Sequence, residues 1–154
     1  MRRRSDPVTS RQHRKIGGDL FNYTWSLLDR KRRNREEDDE MIHAAHASRY
    51  HWGRIGRPLQ VSIGEWQISR VYSTLGRAEP ALYHARRSLE IAKQGRLAPF
   101  YVAYAHEAMG RAGKVAGDRA LAEKHHALAC EAAKGVVEEE DRKLLEADLA
   151  TILA

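Results

Sequence analysis

EWQISRVYSTLGRAEPALYHARRSLEIA, residues 65–92, holds a complete helix, turn and helix in which each residue of the turn has a physical reason. Ile68, Val71, Tyr72 and Leu75 recur at i, i+3, i+4 and i+7, so they share one face of a helix. Gly76 follows the last of them, where a helix ends most easily in a left-handed residue. Pro80 suits the first turn of the next helix, whose N–H groups have no intrahelical partner to lose. Ala81, Leu82, Ala85, Ser88, Leu89 and Ala92 then form a stripe of small and aliphatic residues that lets two backbones come close. A hairpin this short cannot bury both of its apolar faces alone, so it implies neighbours of the same kind on either side.

Tyr72, Leu75-Gly76, Ala81 and Leu89 resemble the pattern of a tetratricopeptide repeat. That resemblance implies an all-α fold of about seven antiparallel helices, stacked as helical hairpins in a right-handed superhelix with a concave groove for a protein or peptide. The stretches FNYTW (21–25), HAAHASRYHW (43–52), GEWQISRVYS (64–73) and AEPALYHARRSLEI (78–91) also resemble a family of small, uncharacterised bacterial helical proteins, a likeness that implies a fold and no activity.

Outward from the hairpin, VYSTLGR at 71–77 is echoed by AMGRAGK at 108–114, an internal repeat of 37 residues that places Gly113 at the end of the fifth helix as Gly76 ends the third. The remaining periodicity predicts helices over about 19–31, 36–54, 58–75, 80–92, 99–112, 119–134 and from 138 onward. The inward residues of the sixth include Leu121, His125, Leu128 and Ala132. Asn34 followed by Glu37 reads as a helix-starting cap. The charge run from Arg30 to Glu40 is the complement of two helix dipoles, basic where one helix ends and acidic where the next begins.

The chain of 154 residues suits one domain, placed at 18–154. Its net charge of +6 is concentrated at the start: residues 1–17 hold six basic residues against Asp6, which leaves the rest nearly neutral. With few large apolar residues, that segment is expected to be a disordered basic tail, and Gly17-Gly18 a hinge before the first helix. Weak nucleic-acid binding through the tail is one functional alternative, opposed by the neutrality of the body. Cys130 has no partner for a disulfide, no run is long and apolar enough to span a membrane, and residues 1–17 lack the apolar centre of a signal peptide. These features point to the cytoplasm.

For chemistry, the chain offers eight histidines among its carboxylates. A second alternative, a metal-binding helical-bundle enzyme, would use His43 and His46 at i, i+3 with Glu65 and Glu107, since Glu40-x-x-His43 and Glu123-x-x-His126 match the spacing of di-iron bundles. Chance spacing on polar faces is the plainer account, and no catalytic triad, activated thiol or phosphate loop is present; no cofactor is expected. The leading expectation is a non-enzymatic peptide-binding groove. In the third helix Trp66, Arg70, Ser73 and Thr74 remain once the apolar stripe is assigned, and 37 residues on stand Ala103, Glu107, Gly110 and Arg111. Arginines grip carboxylates through two bonds and tryptophan supplies buried area, so Trp66, Arg70, Ser73, Thr74, Glu107 and Arg111 would favour a partner carrying an acidic residue. The oligomeric state is left open.

Overall fold

The chain is all-α. The computed structural model describes residues 5–154, and among them lie seven helices: α1 (Ser10–Leu28), α2 (Arg35–Ile55), α3 (Pro58–Thr74), α4 (Ala78–Gln94), α5 (Pro99–Val115), α6 (Arg119–Ala133) and α7 (Glu139–Ala150). The expected cap at α2 is present in both halves: the Glu37 N–H donates to Asn34 Oδ1 (2.8 Å) and the Asn34 N–H to Glu37 Oε2 (2.9 Å). Gly76, with a φ of 71°, ends α3 in the left-handed conformation that its place in the sequence predicts. No helix among the described residues is long and apolar enough to cross a membrane.

Successive helices pair as α1–α2, α3–α4 and α5–α6, and the pairs join through α2–α3 and α4–α5 contacts. The backbones of the odd-numbered helices also approach one another in order, whereas those of α2, α4 and α6 stay apart, and α2 and α4 meet only through side chains such as His46 and His84. The molecule therefore has two layers, one of odd and one of even helices. Small residues make the close approach possible: Ala81, Ala85, Ala92, Ala103, Ala112 and Ala129 are fully buried between helices.

The internal repeat is 41 residues long, not 37. Pro58 and Pro99 each open a helix, and Gly76 and Gly117 share a φ of 71°. Gly95 and Gly135 also correspond, one residue short of the same interval. Each follows an even helix and packs on the proline that opens its hairpin, where a Cβ would lie 2.7 Å from Pro58 Cβ and 3.0 Å from Pro99 Cβ respectively. Gly113, expected to end the fifth helix, lies inside α5 instead. Its missing side chain admits the start of α6, since a Cβ there would stand 3.0 Å from the Ala122 nitrogen. The 37-residue echo paired two glycines that do different work.

The tail boundary also moves. Residues 10–17 are helical, and Gly17-Gly18 is internal to α1, so it is no hinge. Thr9 caps this helix, accepting from the Gln12 N–H (3.2 Å) while its own N–H donates to Gln12 Oε1 (2.8 Å). The polar sequence hid two buried contacts. His13 is buried with Nδ1 2.7 Å from His51 Nδ1, and Gly17 lies directly under the Trp52 ring. Residues 1–4 of the expected tail lie outside the described residues. Gly17→Val would drive its Cβ into the Trp52 indole, and we expect a loss of about 1 to 3 kcal/mol in reversible urea denaturation; Gly18→Ala, whose Cβ meets nothing within 4 Å, should instead stabilise the helix by about 0.5 to 1 kcal/mol.

Leu128, expected inward, is 40% exposed. His125 is buried as expected and Leu121 and Ala132 are partly buried, while the rest of the buried face of α6 is Ala122, Ala129 and Ala133.

Candidate functional site

Because the repeat is 41 residues, one helical position recurs as Trp25 in α1, Trp66 in α3, Glu107 in α5 and Asp148 in α7. One turn earlier the corresponding set is Phe21, Ser62, Ala103 and Leu144. These two rows run along the layer of odd helices, and all of their residues except Ala103 and Glu107 line an open cavity of about 490 Å³. Phe21 and Trp25 enter from α1, Trp52 from α2, Ile63 and Trp66 from α3, Phe100, Tyr101 and Tyr104 from α5, and Leu144 with Asp148 from α7. The chain has three tryptophans and two phenylalanines, and all five line this one space. Residues of that size usually fill cores; here they surround a void large enough for a ligand.

The rings hold one another in place. Trp25 and Trp66 lie 5.6 Å apart centroid to centroid, Trp66 meets Tyr104 edge-on at 5.4 Å, and Phe100 meets Tyr104 edge-on at 5.0 Å. On α3 and α4, Ser62 and Ser88 each donate a hydroxyl to the other's backbone carbonyl (3.0 Å both), so these polar atoms of the lining are already matched.

A second layer of contacts fixes the acidic wall. Glu107 is completely buried and accepts three bonds: from Trp66 Nε1 (3.0 Å), from Arg111 Nε (2.6 Å) and from Arg70 Nη1 (3.2 Å). Arg111 Nη2 also reaches the Asp148 carbonyl (3.1 Å) and Thr151 Oγ1 (2.9 Å), which ties α7 to α5. The Tyr104 hydroxyl donates to Asp148 Oδ2 (2.8 Å). Burial, followed by the neighbouring Asp148 carboxylate, raises the Tyr104 phenol far above its ordinary value, so this donor stays protonated.

Of the six residues expected to form the groove, Trp66 lines the cavity. Arg70, Glu107 and Arg111 form the ion network beside it, with the arginines turned onto Glu107 and away from any incoming acid. Ser73 is buried, and the Thr74 hydroxyl donates to the Arg70 carbonyl of its own helix (2.9 Å). Under the corrected repeat the structural counterpart of Trp66 is Glu107 and that of Arg70 is Arg111.

The four residues of the metal alternative are not brought together. His43 is exposed on α2, while His46 Nε2 lies 2.9 Å from the Tyr72 hydroxyl. Glu65 is taken by Arg49 Nε (2.9 Å) and His84 Nδ1 (2.5 Å), and Glu107 by its three donors. Burial raises the Glu65 carboxyl, but the bonds and charges of His84 and Arg49 outweigh it and hold the group below its usual value. Among the described residues no group of three or more His, Cys, Asp or Glu side chains is placed to hold a metal ion.

The Glu65–His84 contact has its own counterpart 41 residues on, the buried pair His106–His125, whose Nδ1 atoms lie 2.9 Å apart between α5 and α6. One ring must donate and the other accept, so protonating both would set two donors against each other. Burial first, then His125 and the charge of Lys93 on α4, pushes His106 down to about 4 from 6.5. His125 is lowered by burial and by Lys124 and Lys93. A lowered histidine stabilises the fold at neutral pH, and that stability is lost as pH falls from 6.5 towards 4, where the unfolded chain binds protons first. Stability should be lower at pH 4.5 than at pH 7.5 by about 2 kcal/mol or more, and His106→Gln should reduce that difference.

Comparison with protein-family models, curated proteins and solved structures finds no match to the chain. Only the pocket's own chemistry points to a function.

Proposed function

We propose that the protein is a non-enzymatic binding module of tetratricopeptide-like design, in which the odd-numbered helices form a concave face and the aromatic pocket receives a residue of a peptide or protein partner. The observation that carries this reading is the gathering of every tryptophan and phenylalanine around one open cavity. Large aromatic side chains provide most of the energy of protein recognition, and they do so best when held rigid before the partner arrives, as the ring contacts here hold them. The polar groups nearest the pocket are bonded to one another, which suits a scaffold, and the free Cys130 fits a reducing cytoplasm.

Selection of a random peptide display library against the purified protein tests the proposal. Enriched peptides should bind at micromolar or tighter affinity and lose at least roughly tenfold with Trp25→Leu, a change on the pocket wall whose folding is checked by circular dichroism. Selected peptides that bind Trp25→Leu and the parent equally would place recognition elsewhere.

A further inference from the structure

The charges beside the pocket cancel within the fold. Arg70 and Arg111 both bond Glu107, to which the Trp66 indole also donates, and Arg70 Nη2 stands 3.8 Å from Asp148 Oδ1 while Tyr104 donates to Oδ2. Two arginines thus face two carboxylates. The remaining polar groups of the lining, the N–H of Trp25 and Trp52, the Tyr101 hydroxyl and the mutually bonded Ser62 and Ser88, are neutral. The surface that an occupant meets is almost wholly apolar. An ion entering it would lose its water with no counter-charge to replace it, so desolvation disfavours charge of either sign and favours hydrocarbon. Size sets a second limit. At about 30 Å³ for each water, 490 Å³ corresponds to roughly sixteen waters, and it lies within the roughly 300 to 1,000 Å³ of sites that enclose whole drug-sized ligands; one side chain, even an indole, leaves most of it wet.

Resting on the reading of the pocket as the recognition site, we propose that its occupant is uncharged and apolar and spans more than one residue: two large aliphatic or aromatic side chains that stand side by side on one face of the partner. Two such side chains displace the water that one would leave against Trp25, Trp66 and Phe100, and each adds apolar area removed from solvent. Leu144, more than half exposed, carries the apolar surface out to the rim, which covers the second side chain while the partner's backbone stays in water.

Three probes of nearly one shape isolate the charge: neutral 2-naphthalenemethanol, the cation 2-naphthylmethylammonium and the anion 2-naphthoate. Benzyl alcohol, with one ring fewer, isolates the size. Each is titrated into full-length, nitrogen-15-labelled protein while the three indole N–H signals are followed; all three indoles line the pocket, so entry of a probe moves them. The neutral naphthyl probe should give saturable shifts with a dissociation constant at least roughly tenfold below that of either ion and about fivefold or more below that of benzyl alcohol. Trp25→Leu should weaken it. An ion that binds as tightly as the neutral probe, benzyl alcohol that binds as tightly as the naphthyl, or no indole shift with any probe would each overturn the inference. Peptides selected by display should carry two large uncharged side chains, and alanine at either should cost roughly tenfold in affinity. Peptides that depend on Trp25 but are held through a single side chain, or through a charged one, would overturn the inference and leave the pocket as the recognition site. Naphthyl binding with no peptide enriched, or peptides that ignore Trp25→Leu, would overturn that reading as well.

Discussion

Glu107→Ala should cost the fold about 3 to 5 kcal/mol, measured by reversible urea denaturation. The side chain is fully buried, and its removal leaves the Trp66 N–H and two largely buried guanidinium groups without their shared acceptor. The cost arises from stranding those donors more than from losing the carboxylate itself. Glu107→Gln separates the two parts, because an amide of the same shape keeps an acceptor oxygen and loses the charge; a smaller loss of about 1 to 3 kcal/mol is expected. An alanine variant as stable as the parent would mean that Arg70 and Arg111 find water or other partners, and that the network does not hold α3, α5 and α7 together.

Leu145→Ala should be comparably severe, at about 2 to 5 kcal/mol. Leu145 is 0% exposed and belongs to the apolar cluster that Leu149 and Ile152 form with Ala103, Tyr104, Ala122, Ala129 and Ala133. This cluster seats α7 on α5 and α6, and α7 in turn supplies Asp148 to the pocket wall. The substitution should therefore change two signals together: the melting temperature falls by several degrees, and the response of the indole N–H groups to a display-selected peptide weakens. The exposed neighbour Leu144→Ala should leave stability nearly unchanged, being on the open rim of the same pocket.

The hairpin at 65–92 was legible in the sequence because its turn residues each have one plausible use, and the helices that it implied on either side are present. The repeat length was not legible in the same way. A glycine that ends a helix and a glycine that lets a neighbouring helix approach are the same letter, so Gly113 stood in for Gly117 and shifted the register by four residues. Four residues is close to one helical turn, which keeps a residue on nearly the same face while changing its partner. That is why Trp66, Glu107, Arg70 and Arg111 stand out together from the sequence: Arg70 pairs with Glu107, the internal alternative to a ligand that their spacing also allows, and Arg111 joins them. The signal that could have found the ladder was in the chain, in Pro58 and Pro99, Gly76 and Gly117, and above all Trp25 and Trp66, each pair 41 residues apart. The start of α1 was hidden for another reason. Its sequence is polar, and what buries it is a histidine contact and the fit of a glycine under an indole, neither of which leaves an apolar period to read.

Recognition by the face of the odd-numbered helices is tested most directly by a residue-by-residue map of nuclear magnetic resonance shifts with a display-selected peptide bound. The largest changes should fall on the three indole N–H groups and on the amides around Trp25, Trp66, Tyr104 and Leu144. Changes concentrated instead on the outer surface of the even helices, around His43, Tyr50, Tyr83 and Leu128, would contradict it.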